Sequence, residues 1–219
     1  MSETLVPEKA HKPASAQRRS DHSMPFILAA FPLLVLFAAA VLLFWLSESK
    51  MEGAFRYWEI FIPIVAVVSL VSGWSQAYLA GNSRIWYVVK QAVHWGALIA
   101  LLYVLNTHGI RALMNAQQYT AVLIYLLAFG TVLAALHMDL KLLVFGLFLA
   151  FCAYVIAVPT ANPALALVGD IFHIADAQTN PTTASLWVAG IGFVASLFVL
   201  VMMRAAMMSK RASAARNAA

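Results

Sequence analysis

The amino-acid sequence predicts an all-α membrane protein, a bundle of six transmembrane helices with a short amphipathic helix in the last outer loop. The chain has 219 residues, of which 63% are hydrophobic and only 11% are charged. Soluble proteins carry roughly 25% charged residues. The apolar residues fall into six blocks, and the basic residues lie mainly on one side of those blocks. Lipid must therefore cover much of the surface.

Each apolar block is long enough, or nearly so, to cross a hydrocarbon core about 30 Å thick. The predicted spans lie near residues 25–46, 60–81, 85–105, 119–136, 142–158 and 184–203. The fourth and fifth spans are short and closely spaced, so we expect a tight helical hairpin there. Together the spans form one membrane domain, residues 24–204. It is preceded by a polar tail, residues 1–23, which we expect to be disordered and cytoplasmic, and followed by a basic cytoplasmic tail, residues 205–219.

The orientation follows from lysine and arginine, which collect at cytoplasmic membrane edges. If the N-terminus is cytoplasmic, the outer side holds 3 basic residues, which are Lys50, Arg56 and Arg111. The inner side holds the other 11, which are Lys9, Lys12, Arg18, Arg19, Arg84, Lys90, Lys141, Arg204, Lys210, Arg211 and Arg216. Six spans also return the C-terminus to the cytoplasm. The sequence therefore predicts a multi-pass protein of the plasma (inner) membrane with both termini cytoplasmic.

The last outer loop carries the start signal of a short helix. Asn162 suits an N-cap, and Pro163 suits the first helical position. On a helix over residues 164–176 the polar side shares one arc, made by Gly169, Asp170, His173 and Asp176. Apolar residues cover the rest of this helix. We expect it to lie on the outer membrane surface or on neighbouring spans.

Aromatic residues stand near many of the predicted span ends. They are Trp45, Trp58, Trp86, Tyr87, Tyr119 and Trp187. Tryptophan and tyrosine are enriched where a bilayer meets water. We therefore interpret these residues as an interfacial belt and not as a binding motif.

Small residues spaced four apart recur in the predicted spans. The pairs are Ser69/Gly73, Gly130/Ala134, Gly146/Ala150 and Gly192/Ser196. Such pairs let two helices approach closely in a membrane. They predict helix packing within the chain, self-association, or association with protein partners.

Polar residues inside the spans concentrate in the predicted cytoplasmic half of spans two, three and four. The candidate polar pocket consists of Ser72, Gln76, Lys90, His94, Thr131 and His137. Lys90 and His94 are four apart and share a helix face. The turn before the third span is short, so we expect this face to lie against Ser72 and Gln76.

Two interpretations of this cluster are open. Ionisable residues inside a membrane are costly and often functional, which favours a cytoplasm-facing pocket. Alternatively, Lys90 extends to the lipid headgroups while His94 bonds a serine or glutamine of a neighbouring span. We favour the second, structural interpretation.

Motifs for catalysis or cofactor binding do not emerge from the sequence. Asp170, His173 and Asp176 fit no zinc spacing. His94, His108 and His137 are predicted at depths that do not match as a haem-binding pair. The single Cys152 lies within an apolar block and is interpreted as a core residue. We therefore expect no enzyme activity, no cofactor and no metal.

The carboxylates Glu48, Glu52 and Glu59 are predicted at span ends or in loops, which disfavours a proton-driven pump. Topology accounts for the excess of basic residues, so no nucleic-acid partner is implied. The expected function is that of a non-enzymatic membrane subunit that scaffolds, assembles or regulates a larger complex. The alternative is a small-solute or ion transporter or channel component that uses the pocket around Lys90 and His94.

Overall fold

The structure is a computed structural model that describes residues 26–79, 84–137, 140–158, 162–173 and 181–217. Seven α-helices and one short 3₁₀ turn, Ile110–Leu113, account for most of these residues, and none of them lies in a β-strand. The helices are α1 Phe26–Glu48, α2 Ala54–Leu79, α3 Arg84–Thr107, α4 Ala116–His137, α5 Lys141–Ala157, α6 Pro163–Phe172 and α7 Pro181–Asn217. The all-α prediction is confirmed.

Five of these helices, α1, α2, α3, α4 and α7, are long and apolar enough to cross a membrane. The chain is therefore compatible with a polytopic membrane protein. The fifth predicted span corresponds to α5, an apolar helix of only 17 residues. The second span begins earlier than predicted, since α2 starts at Ala54 rather than at Ile60. The predicted tail, residues 1–23, lies outside the described residues.

Helices α4 and α5 pack against each other as the predicted hairpin and form the centre of the bundle. Gly146 allows this packing, because a Cβ added there would lie 2.6 Å from Thr131 Oγ1 and 2.7 Å from Val132 Cγ2. Both distances are shorter than van der Waals contact. On the other side of α5, the Phe37 ring of α1 lies edge-on to Phe145 with 5.0 Å between ring centres.

Helix α6 begins as predicted. The side chain of Asn162 accepts a hydrogen bond of 2.9 Å from the backbone N–H of Ala164, and Pro163 occupies the first turn. The helix packs against α7 with Leu165 buried, whereas Leu167 remains exposed. Asp176, which we placed on the polar arc, lies outside the described residues.

The consecutive helices run antiparallel, which gives the bundle two ends. At the Glu48 end, α1 terminates and α2, α4 and α7 begin. At the Lys90 end, α3 and α5 begin and α2 and α4 terminate. The polar side chains of the described residues gather near both ends.

Candidate functional site

The predicted polar pocket at the Lys90 end is only partly brought together. Lys90 and His94 share a face of α3, as expected from their spacing, and that face lies against α4. Thr131 is buried on another side of α4, where its hydroxyl donates to the Ala128 carbonyl oxygen at 2.8 Å and lies against Gly146. The side chains of Ser72, Gln76 and His137 lie outside the described part of the structure.

His94 is bonded to α4. Its Nε2 lies 2.8 Å from the Gly130 carbonyl oxygen. Because a carbonyl oxygen can only accept, Nε2 carries the proton and donates it. The ring also lies edge-on to Trp95, 5.2 Å between centres. The bond joins His94 to α4, whereas the predicted contact of this residue with Ser72 and Gln76 stays a prediction because their side chains lie outside the described part of the structure.

Gly130 explains why the bond goes to α4. A Cβ added at this position would lie 3.0 Å from Leu98 Cδ2 and 3.7 Å from Trp95 Cζ3. The missing side chain lets α3 approach the backbone of α4, which exposes the carbonyl oxygen to His94. The Gly130/Ala134 pair identified in the sequence thus serves packing within the chain.

Among the described residues, Tyr87 and Gln91 form a polar link from α3 to the second helix. The Tyr87 hydroxyl donates to the Leu70 carbonyl oxygen at 3.0 Å, and Gln91 Nε2 donates to that hydroxyl at 3.1 Å. Tyr87 had been interpreted as part of an interfacial belt. On α3, residues 87 and 91 lie about 100° around the helix axis from residues 86 and 90. The first pair therefore faces the second helix, while the second pair lies on a different side.

A groove of about 430 Å³ runs between α3 and α4 beside His94. Trp86, Val89, Lys90 and Val93 form one wall, and Leu133 and Ala134 form the other. The Lys90 ammonium lies 5.5 Å from the centre of the Trp86 ring, a cation–π arrangement. The groove therefore combines apolar walls with one positive charge near the start of α3.

A second cavity, of about 440 Å³, lies at the Glu48 end. Glu48 at the end of α1, Lys50 and Glu52 of the α1–α2 connection, and Gln117 of α4 line it. Lys50 and Gly53 both adopt positive φ, 54° and 77°, which turns the chain sharply between the two helices. The sequence did not predict this cavity, because its lining combines a helix end and a loop with residues of α4 and α5 that are far away in the sequence.

Two partly buried links hold this end together. Ser185 Oγ of α7 donates to Glu48 Oε2 at 3.0 Å, and the Tyr119 hydroxyl donates to Glu59 Oε1 at 2.8 Å. Because α2 starts at Ala54, Glu59 lies inside this helix and not before it. Each carboxylate joins two helices that are far apart in the sequence.

The aromatic belt needs a correction at this end of the molecule. Trp58 is fully buried and its Nε1 donates to Ser47 Oγ at 2.9 Å. Tyr119 is also buried. Trp45, Trp86 and Trp187 are exposed, as an interfacial position requires. The earlier start of α2 accounts for the difference, because it moves Trp58 from a span end into the helix.

Among the described residues, no group of three or more histidine, cysteine, aspartate or glutamate side chains is placed to hold a metal ion. Comparison of the chain with protein-family models, with curated proteins and with solved structures finds no match.

Proposed function

We propose that this chain is a non-enzymatic integral membrane subunit that assembles a larger membrane complex by packing α3 against a helix of a partner protein. One observation carries the proposal. Ala92, Gly96 and Ala100 are spaced four apart on α3 and are all exposed. Outside the helix's own backbone, a Cβ added at Gly96 would meet no atom of the described residues within 4 Å.

Small residues in this spacing are typical of helix–helix contacts in membranes, since they let two backbones approach closely. A helix face that contacts only lipid is not stabilised by the space that such small side chains leave. The exposed face of α7 provides the contrast, because it carries large residues such as Trp187, Val194 and Phe198. We interpret the α7 face as lipid-facing and the α3 face as the partner site.

The polar contacts within the bundle support a structural role. His94 to Gly130, Tyr119 to Glu59, and Ser185 to Glu48 each join two helices. These bonds use the ionisable side chains to hold the chain together. A subunit that offers a fixed surface to a partner needs such rigidity. We therefore assign the protein a structural role and no reaction.

For the arrangement in the membrane we infer six spans, with α5 as the fifth and α6 in the last outer loop. At 1.5 Å per residue, the 17 residues of α5 extend about 25 Å, slightly less than a hydrocarbon core. The division of basic residues places both termini in the cytoplasm of a plasma (inner) membrane. Reporter fusions after Ala219 should give a cytoplasmic signal and fusions at Thr179 an outside signal. A cytoplasmic signal at Thr179 would refute the six-span arrangement.

A photo-crosslinking amino acid tests the partner site directly. Placed at Ala92 in cells that express the full chain, it should give one discrete adduct with a membrane protein. Placed at Ala195, an exposed small residue of α7, it should give only lipid adducts. Co-expression of two differently tagged copies distinguishes a partner protein from self-association, because the two tags are crosslinked to each other only if the chain associates with itself.

Substitution then tests whether the contact matters. Gly96→Leu fills the gap and should reduce recovery of the stoichiometric partner about five-fold or more, since overpacking costs about 1–3 kcal/mol. Ala195→Leu adds a similar volume to α7 and should leave recovery unchanged. Equal recovery with both variants would contradict the assignment of α3.

The alternative is a small-solute or ion transporter or channel component that uses Lys90 and His94. The observation that favours it is the groove of about 430 Å³ that contains both residues. Under this alternative His94→Leu abolishes flux through reconstituted vesicles while the yield and unfolding temperature stay unchanged. Under the structural function the same variant lowers the unfolding temperature.

A further inference from the structure

The side chain of Lys90 is directed toward one membrane surface. Lys90 is the sixth residue of the apolar span Ile85–Thr107, about 8 Å along the helix from its start. Its ammonium reaches back one turn and lies 5.5 Å from the centre of the Trp86 ring. Exposed tryptophan near a span end marks the level of the lipid headgroups. The charge of Lys90 is therefore held at headgroup depth.

The groove below this charge is apolar and continues toward the middle of the span. Val93, which is 67% exposed, lines it on the α3 side, and Leu133 and the small Ala134 line it on the α4 side. The bond from His94 to α4 fixes the distance between the two walls. Phe129 and Leu136 extend the apolar surface on the α4 side. A hydrocarbon chain matches such a surface, whereas a hydrated solute does not.

We propose that the groove between α3 and α4 binds one membrane phospholipid with an anionic headgroup, whose phosphate lies at Lys90 and Trp86 and whose acyl chain lies between Val93 and Leu133. The charge selects the headgroup, because a basic residue between membrane helices near the surface attracts anionic lipid. The apolar walls hold the chain but do not distinguish one headgroup from another. This site adjoins the Gly96 face, because Val93 lies three residues before Gly96 on α3.

Lipid retention measures the selectivity. The full-length protein is reconstituted in an equimolar mixture of phosphatidylcholine and phosphatidylglycerol, and native mass spectrometry records the lipids that remain bound. The wild-type protein should retain phosphatidylglycerol in preference to phosphatidylcholine. Lys90→Gln should lower that preference about five-fold, the contribution of one basic residue near the surface. Lys90→Arg should keep it.

Two controls locate the effect. Lys50→Gln removes the same charge at the Glu48 end and should leave the preference intact. Val93→Trp fills the groove at an exposed position and should lower retention of phosphatidylglycerol while Lys90 is still present. Equal retention of the two lipids by the wild-type protein, or equal losses in Lys50→Gln and Lys90→Gln, would overturn the proposal.

Fluorescence quenching places the lipid. Phosphatidylglycerol with brominated acyl chains should quench the wild-type protein more than Trp86→Phe, and the difference should exceed that obtained with brominated phosphatidylcholine. Equal differences would mean that bulk lipid or a protein helix covers the groove, which would refute a selective site. Gly96→Leu should not change the quenching, so this result is independent of the partner proposed for α3.

Discussion

The α4–α5 hairpin and helix α3 use small residues in opposite ways. In α4, 61% of the residues in the span are buried within the chain, whereas in α3 only 17% are buried. Gly146 lies in tight contact with α4, but Gly96 has open space where a side chain would be. The same residue type thus closes one interface inside the chain and leaves another face available. Burial, and not sequence spacing, distinguishes the two uses.

The largest expected effect is the difference in stability between two glycine-to-alanine variants, one at Gly146 and one at Gly96. Gly146→Ala should destabilise the protein by about 1–3 kcal/mol relative to Gly96→Ala, because the new Cβ meets Thr131, Val132 and the Ala128 backbone oxygen. The change in helix propensity is the same at both positions. Thermal unfolding in one detergent measures the difference. Equal unfolding temperatures would mean that the hairpin is not tightly packed at Gly146.

A smaller effect is expected for the polar link between the two regions. His94→Leu removes the bond to the Gly130 carbonyl oxygen and should cost about 0.6–1.7 kcal/mol, the range measured for hydrogen bonds between membrane helices. His94→Gln can still donate to that oxygen and should recover part of the loss. If His94→Leu left the unfolding temperature unchanged, the bond would contribute nothing to the packing of α3 on α4.

Gly130→Ala should have a weaker effect than Gly146→Ala. The added Cβ meets the end of the Leu98 side chain at 3.0 Å, and a flexible leucine can rotate away, so the expected cost is under about 1 kcal/mol. The shift should also lengthen the bond from His94. A double-mutant cycle should therefore show that His94→Leu costs less in the Gly130→Ala background. Strict additivity would show that the two positions act independently.

The sequence was sufficient to predict much of the fold. Apolar block length predicted helices close to those observed, and Asn162 with Pro163 predicted the start of α6. The start of α2 was placed too late because Phe55, Trp58 and Glu59 mix aromatic and charged residues. Hydropathy cannot show that such a turn is helical and packed against other helices.

The candidate site was less predictable, since its geometry depends on which faces of the helices meet. Spacing correctly placed Lys90 and His94 on one face of α3. It could not show that this face meets α4, because the approach depends on Gly130, thirty-six residues away from His94. The Glu48 cavity likewise depends on how α1, α2, α4 and α5 meet, which no local pattern encodes.

The smallest expected effect is on the open face of α3. Gly96→Leu should leave the stability of the isolated chain within about 0.5 kcal/mol of the wild-type value, as for an exposed substitution. Outside the helix's own backbone, no atom of the described residues lies within 4 Å of the added Cβ, so we expect the leucine to replace only contacts with lipid or detergent. Ala195→Leu should behave alike in the same unfolding assay. The two variants should differ only when a partner is present, because the partner's helix would then occupy the space at Gly96. A large loss of stability in the isolated Gly96→Leu chain would show that this face packs within the chain, and α3 would then resemble the hairpin instead of contrasting with it.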